Sequence, residues 1–278
     1  MLAIAVIVFR EVLEAALVVG IVMAASRGVP RRGQWVLGGI VVGVIGAVLV
    51  AGFAGEIAAA MEGVGQEIFN ATVLFAAVLM LGWHNVWMSR HAKEHAVEAT
   101  RVGREVLSGA RPLYALAIVV GLAVLREGSE AVLFVYGILA AEGGKLAALV
   151  GGGGGGLIAG VAVGMALYYG LLTIPMRHLF TVTSWMILLL AAGMASQGAA
   201  FLLQADLVPP LGNLWDTSAI LSEKSLLGQA LHALIGYVAR PTGIQLVFYL
   251  GTVVLIAGLM RLFGRAPAMA SPRVHPAE

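Results

Sequence analysis

Two stretches of this chain place an arginine and two glutamates inside apolar sequence: FREVLEAALVVGIV (9–22) and LREGSEAVLFVYGIL (125–139). Each carries R-E-x-x-E, with Arg10, Glu11 and Glu14 in the first copy and Arg126, Glu127 and Glu130 in the second. On a helix, residues three and four apart share a face. The two glutamates of each copy therefore point the same way, and the arginine can pair with the second of them. An ionisable group at the bilayer centre costs at least ~2.5–3.5 kcal/mol, so six such groups must turn away from lipid. If the two helices meet, four carboxylates and two guanidiniums sum to −2 when all are ionised. An anionic cage of oxygen ligands suits a multivalent hard cation. Without the cation, proton uptake by one or two glutamates relieves the repulsion, so metal and proton should compete. The structural alternative is a pair of ion-pair networks that lock the two helices together. Two related copies, each with a second glutamate, favour the cation pathway.

The elements that must position these groups are membrane helices. Of the 278 residues, 60% are hydrophobic and 12% charged, about half the charge of a soluble domain. With no cysteine, disulfides, Fe–S clusters and thiolate metal sites are excluded. The first 25 residues lack a basic leader and are interrupted by Arg10, Glu11 and Glu14. They read as a retained helix rather than a signal peptide. Seven runs are long enough to span, at about 2–25, 35–54, 68–88, 113–140, 146–172, 179–203 and 244–263. If the linkers alternate sides, twelve Lys and Arg residues fall on one side and three, Lys145, Lys224 and Arg240, on the other. The positive-inside rule then puts the amino terminus outside and the carboxyl terminus in the cytoplasm.

An internal repeat follows from the register of the two motifs. Aligning Arg10 with Arg126 matches Glu11, Glu14, Ala15 and Leu17 with Glu127, Glu130, Ala131 and Leu133. In the following spans Gly39 and Gly43 match Gly156 and Gly160, and then Phe69, Thr72 and Gly82 match Phe180, Thr183 and Gly193. Three spans are an odd number, so the second copy enters from the opposite side, as in secondary transporters with a site at the repeat interface. The expected fold is an all-α integral membrane protein of seven transmembrane helices, a 3+3 inverted-topology repeat plus one C-terminal helix. A single transport domain covers 1–264, with repeat one at 1–90, repeat two at 113–204, an external segment at 205–243 and the seventh helix at 244–264. The tail, 265–278, is short and expected to be disordered. In the external segment, Pro209–Pro210 and Gly212–Asn213 mark a turn, and Ser222 to Val238 reads as an amphipathic helix.

Two membrane-embedded R-E-x-x-E helices in a seven-span chain resemble the iron permease family. That family includes the fungal high-affinity permeases that partner a multicopper oxidase, and bacterial permeases of the Efe type. LWDTS (214–218) and LHALIGYVARPTG (231–243) also resemble the external segment of the bacterial members. The resemblance covers essentially the whole chain. It implies iron transport, with Glu11, Glu14, Glu127 and Glu130 as ligands. It also implies an inner-membrane location and a periplasmic iron-binding or ferroxidase partner. One departure is Val12 at the third motif position, where Gly is usual; the second motif keeps Gly128. The hard oxygen cage favours Fe3+, whereas the bacterial members imply ferrous uptake, and the residues leave that choice open.

Secondary candidates are Glu56 and Glu62 between spans two and three, with Asp216 and His232 in the external segment. Each could attract cations to an entrance, and each also fits a solvated polar face. Asp216 makes a good helix cap as well. His84 and Gln197, inside spans three and six, could line the path or bond to a neighbouring helix. His91 and His95 are four apart but sit among charges that suit a solvated helix. The run Gly151–Gly156 reads as close helix packing, with a hinge as the alternative. Arg10 and Arg126 balance charge. The chain is thus read as a carrier of iron ions and not as an enzyme, with no prosthetic group and no nucleic-acid partner expected. A proton-coupled carrier of another cation or solute, and an intramembrane redox subunit, are the competing readings.

Overall fold

The computed structural model describes residues 1–60, 66–142, 146–170, 176–223 and 225–263. Each long apolar run is helical: α1 (Leu2–Ala25), α2 (Arg32–Ala60), α3 (Gln66–Leu107) and α4 (Tyr114–Glu142). After these come α5 (Leu146–Ala148), a π-helical turn (Leu149–Gly153), α6 (Gly154–Tyr168), α7 (Met176–Gln204), α8 (Leu226–Ile235) and α9 (Gly243–Phe263). Among the described residues there is no strand, only an isolated bridge between Asn213 and Thr242. Five helices are long and apolar enough to cross a membrane: α2, the start of α3, the π-turn with α6, α7 and α9. Two others of similar length, α1 and α4, are the ones that carry the R-E-x-x-E motifs. The tail expected to be disordered, 265–278, lies outside the described residues, as does Glu62.

Small residues decide which helices touch. α2 packs along α4, and α6 along α1. A Cβ on Gly43 would lie 2.7 Å from the Gly121 carbonyl oxygen, and one on Gly160 would lie 2.9 Å from that of Phe9. Backbones this close leave no room for a side chain, which is how small-xxx-small stripes hold membrane helices together. The rest of α2 faces outward: Val42, Val48, Leu49 and Phe53 are all exposed, a patch suited to lipid and not to water. Beneath the motif helices, Ile4, Ile7, Leu74, Leu81, Phe134, Ile138, Ile187 and Ala191 form one core cluster joining α1, α3, α4 and α7.

Two elements depart from the expected outline. Residues 89–112 are expected as a linker between spans, with a solvated helix around His91 and His95, and α3 instead continues unbroken to Leu107. Ala99, Val102 and Val106 recur at helical spacing and bury against Val22, Leu116 and Val120, while Arg101 pairs with Glu98 at 2.6 Å on the outer face. The fifth run, expected as a continuous span, contains the π-turn at Leu149–Gly153. Gly152 and Gly156 press against the α1 backbone, as the packing reading requires, but Gly153, Gly154 and Gly155 meet nothing. With no side chains to hold a regular α-register, one wider turn is tolerated there.

The segment 205–243 is ordered by its own polar groups. Ser225 caps α8 by accepting from the Gly228 N–H at 3.0 Å, a contact worth about 1 kcal/mol. Gly236 ends α8 in the left-handed region at φ 68°, where glycine carries no steric penalty. The turn expected at Gly212–Asn213 is present, with Gly212 at φ 74° and its carbonyl accepting from Gly243 N–H at 2.9 Å.

Candidate metal centre

The motif helices meet at their charged turns. On α1, Arg10, Glu11 and Glu14 are all buried. Arg10 Nη1 donates to Glu11 Oε1 at 3.2 Å, and its Nε lies 3.0 Å from Glu14 Oε1. On α4, Arg126 Nε donates to Glu130 Oε1 at 3.0 Å and stands 3.8 Å from Glu127 Oε1. The Arg126 guanidinium lies over the Trp87 ring, 4.0 Å from its centroid. Each arginine thus pairs with the glutamate four residues on, as the helical spacing predicts.

A third helix completes the cluster. His84, buried on α3, puts Nδ1 against Glu130 Oε2 and Nε2 4.0 Å from Glu11 Oε2. One ligand atom from each of Glu11, His84, Glu127 and Glu130 lies within 4.8 Å of all the others. Glu14 does not belong to this set; it stays with Arg10. Asn85, next to His84, donates from Nδ2 to the Ser184 carbonyl at 2.9 Å and so ties α3 to α7. The His84 and Phe134 rings meet nearly perpendicular, with centroids 5.9 Å apart.

The donor set leaves valences open. Glu11 Oε2, Glu127 Oε2 and His84 Nε2 are buried without a hydrogen bond, while Glu130 Oε2 and His84 Nδ1 are spent on each other. A buried, unsatisfied polar group costs about 1–3 kcal/mol, and more if charged, so such a concentration calls for a partner. Three carboxylate oxygens and an imidazole nitrogen suit a divalent first-row metal. Behind Glu11 and Glu127 opens a cavity of about 540 Å³, otherwise apolar, walled by Val12, Ala47, Val48, Gly128, Leu157 and Val161 among others.

The remaining candidates sit elsewhere. Asp216 accepts from the Ser218 hydroxyl at 2.6 Å and the Ser218 N–H at 2.9 Å, and pairs with Arg240 at 2.9 Å. These bonds, those from Ser218 foremost, push its carboxyl down to about 2. His232 Nδ1 meets the Tyr237 carbonyl at 2.7 Å across the end of α8. Both therefore serve the external segment's own structure. Gln197 is half-buried on α7, and no described hydrogen bond or ion pair ties it to the carboxylates. The side chains of Glu56, His91 and His95 lie outside the described residues.

The iron permease FTR1 family matches residues 1–270. The ferrous iron permease EfeU of Yersinia pestis is 32% identical over 263 residues, covering 92% of this chain and 91% of that protein. The proteins of the same name from Escherichia coli O6:H1 and Shigella sonnei are each 31% identical over 242 residues, covering 85% of this chain and 86% of theirs. No solved structure matches significantly. With a match of this length and these relatives, the chain belongs to the iron permease FTR1 family.

Proposed function

We propose that this protein carries ferrous iron across the cytoplasmic membrane into the cell, through the carboxylates where α1 and α4 meet. Its relatives are named ferrous iron permeases, which favours Fe2+ over Fe3+. The observation that carries the reading is the buried convergence of Glu11, Glu127 and Glu130 with unsatisfied oxygens. Glu14, one helical turn farther along α1, is the next ligand on the path. Arg10 and Arg126 hold the carboxylates in place and offset their charge. A divalent cation entering a negative interior gains ~2.3 kcal/mol per charge per 100 mV, so no ATPase is required.

The seven-span inverted repeat belongs to this proposal. The packing of α2 on α4 and α6 on α1 supports it, because each repeat's second helix then grips the other repeat's first. With the amino terminus outside, Glu130 faces the exterior side of the cluster and Glu14 the cytoplasmic side. A periplasmic iron-binding protein would deliver the ion.

The test is radioactive iron uptake under reducing conditions by vesicles holding the purified protein. Glu11→Gln and Glu127→Gln should each lower uptake by about two orders of magnitude or more, in line with losing a charged ligand. Wild-type rates in a well-folded Glu127→Gln protein would refute the site.

A further inference from the structure

We infer that His84 is a ligand of the transported ion, and the residue that sets a preference for borderline divalent cations over hard ones; this rests on the iron transport proposed above. The imidazole is buried in the middle of α3 and faces carboxylates from two other helices, Glu11 of α1 and Glu130 of α4. A histidine placed only for packing would spend its ring nitrogens on hydrogen bonds. Nδ1 is taken up by Glu130 Oε2, but Nε2 has no hydrogen bond. The Nε2–Glu11 Oε2 gap of 4.0 Å is too long for a hydrogen bond. It matches the separation of two donors across a metal ion, each at roughly 2.1 Å. Glu127 offers its oxygen within the same 4.8 Å group.

The ring is also held where it is. Asn85 anchors this turn of α3 to the Ser184 carbonyl, and the Phe134 ring packs nearly perpendicular to the imidazole. In the register that pairs Gly82 with Gly193, the position matching His84 is Ala195, so the nitrogen donor is present in one repeat only. Carboxylates alone suit Mg2+, Ca2+ and Mn2+, whereas an imidazole raises affinity for Fe2+ and the later first-row metals. One nitrogen among the oxygens would thus admit Fe2+ while rejecting the far more abundant Mg2+.

X-ray absorption at the iron edge of the full-length protein loaded anaerobically with Fe2+ reads the donor directly, since an imidazole ligand leaves an outer-shell scattering signature. The signature should be present in the wild type and lost in His84→Gln. It should survive joint replacement of the five other histidines, His91, His95, His178, His232 and His275, by Gln, a variant that does not depend on His84→Gln folding. In uptake assays, His84→Asp should make competition by Mn2+ and Mg2+ at least about tenfold more effective against Fe2+, the lower end of the range for disturbing a metal site. Bound iron with only oxygen neighbours, or unchanged selectivity in His84→Asp, would overturn this inference and leave iron transport standing. A wild-type protein that binds no iron would overturn both.

Discussion

Arg10, Glu11 and Glu14 form one half of the cluster, and Arg126, Glu127 and Glu130 the other; the same three residue types at the same spacing end in different surroundings. The first half is sealed, with Arg10 and Glu14 side chains 1% and 4% exposed. The second is ajar, with Arg126 and Glu130 at 33% and 22%. The halves also differ in what α3 brings to them. It lies against both α1 and α4 and delivers His84 and Trp87 to the second half. The positions that match them on α7 are Ala195 and Gly198, which have no group to offer. A repeated motif therefore builds the charge, and a histidine without a counterpart in the other repeat joins carboxylates of both helices.

The largest expected contrast between the halves is in stability. Removing one member of a buried pair costs about 3–5 kcal/mol because the other is left charged and unsolvated. Arg10→Ala should therefore destabilise the protein by that order, read as a loss of thermal stability in detergent. Arg126→Ala should cost clearly less, since this pair is only partly buried. It should instead weaken iron binding, with Arg126→Lys retaining part because charge is kept while the guanidinium fork and the Trp87 stacking are lost. Equal destabilisation by the two alanine variants would erase the distinction between sealed and open halves.

The glycine stripes sharpen the same comparison from the side where the halves agree. Gly43 against the Gly121 carbonyl and Gly160 against that of Phe9 are both close approaches of a second helix to a motif helix. Gly43→Val and Gly160→Val should each cost about 1–3 kcal/mol from overpacking, measured by thermal unfolding. A large cost at only one of them would mean that the two helix grips are not equivalent.

The smallest effect is expected outside the bundle. Asp216 is held at about 2 against an ordinary 3.8, so its pairing with Ser218 and Arg240 supports the segment above pH 3.8 and is lost as pH falls through about 2. Asp216→Asn should leave iron uptake at neutral pH within about twofold and raise the pH at which the segment becomes protease-sensitive, as expected for an exposed pair. A collapse of uptake would give Asp216 a part in transport that its hydrogen bonds do not suggest.

Much of this was legible in the residues. Apolar runs mark the long helices to within a few residues, and the two motifs pick out the charged turns that meet. The continuation of α3 to Leu107 was harder to see because its outer face is charged, and only Ala99, Val102 and Val106 report the buried side. The π-turn was hidden in a glycine run that carries no periodicity. His84 stood in the sequence as a lone histidine with two readings. Its place beside Glu11 and Glu130 depends on the depth and rotation of α3, which hydropathy does not encode. The one available signal was that an ionisable residue inside a span is expensive and seldom idle. The separation of Glu14 from the other three glutamates depends on Arg10 lying closest to it, a matter of side-chain geometry alone.

The most direct measurement is anomalous scattering at the iron edge from crystals of the intact protein soaked anaerobically with Fe2+. A single shared centre is expected, one peak bounded by Glu11, His84, Glu127 and Glu130, with Glu14 still on Arg10. Two peaks, one beside each R-E-x-x-E turn, or a single peak at the external segment near Asp216 and His232, would contradict it.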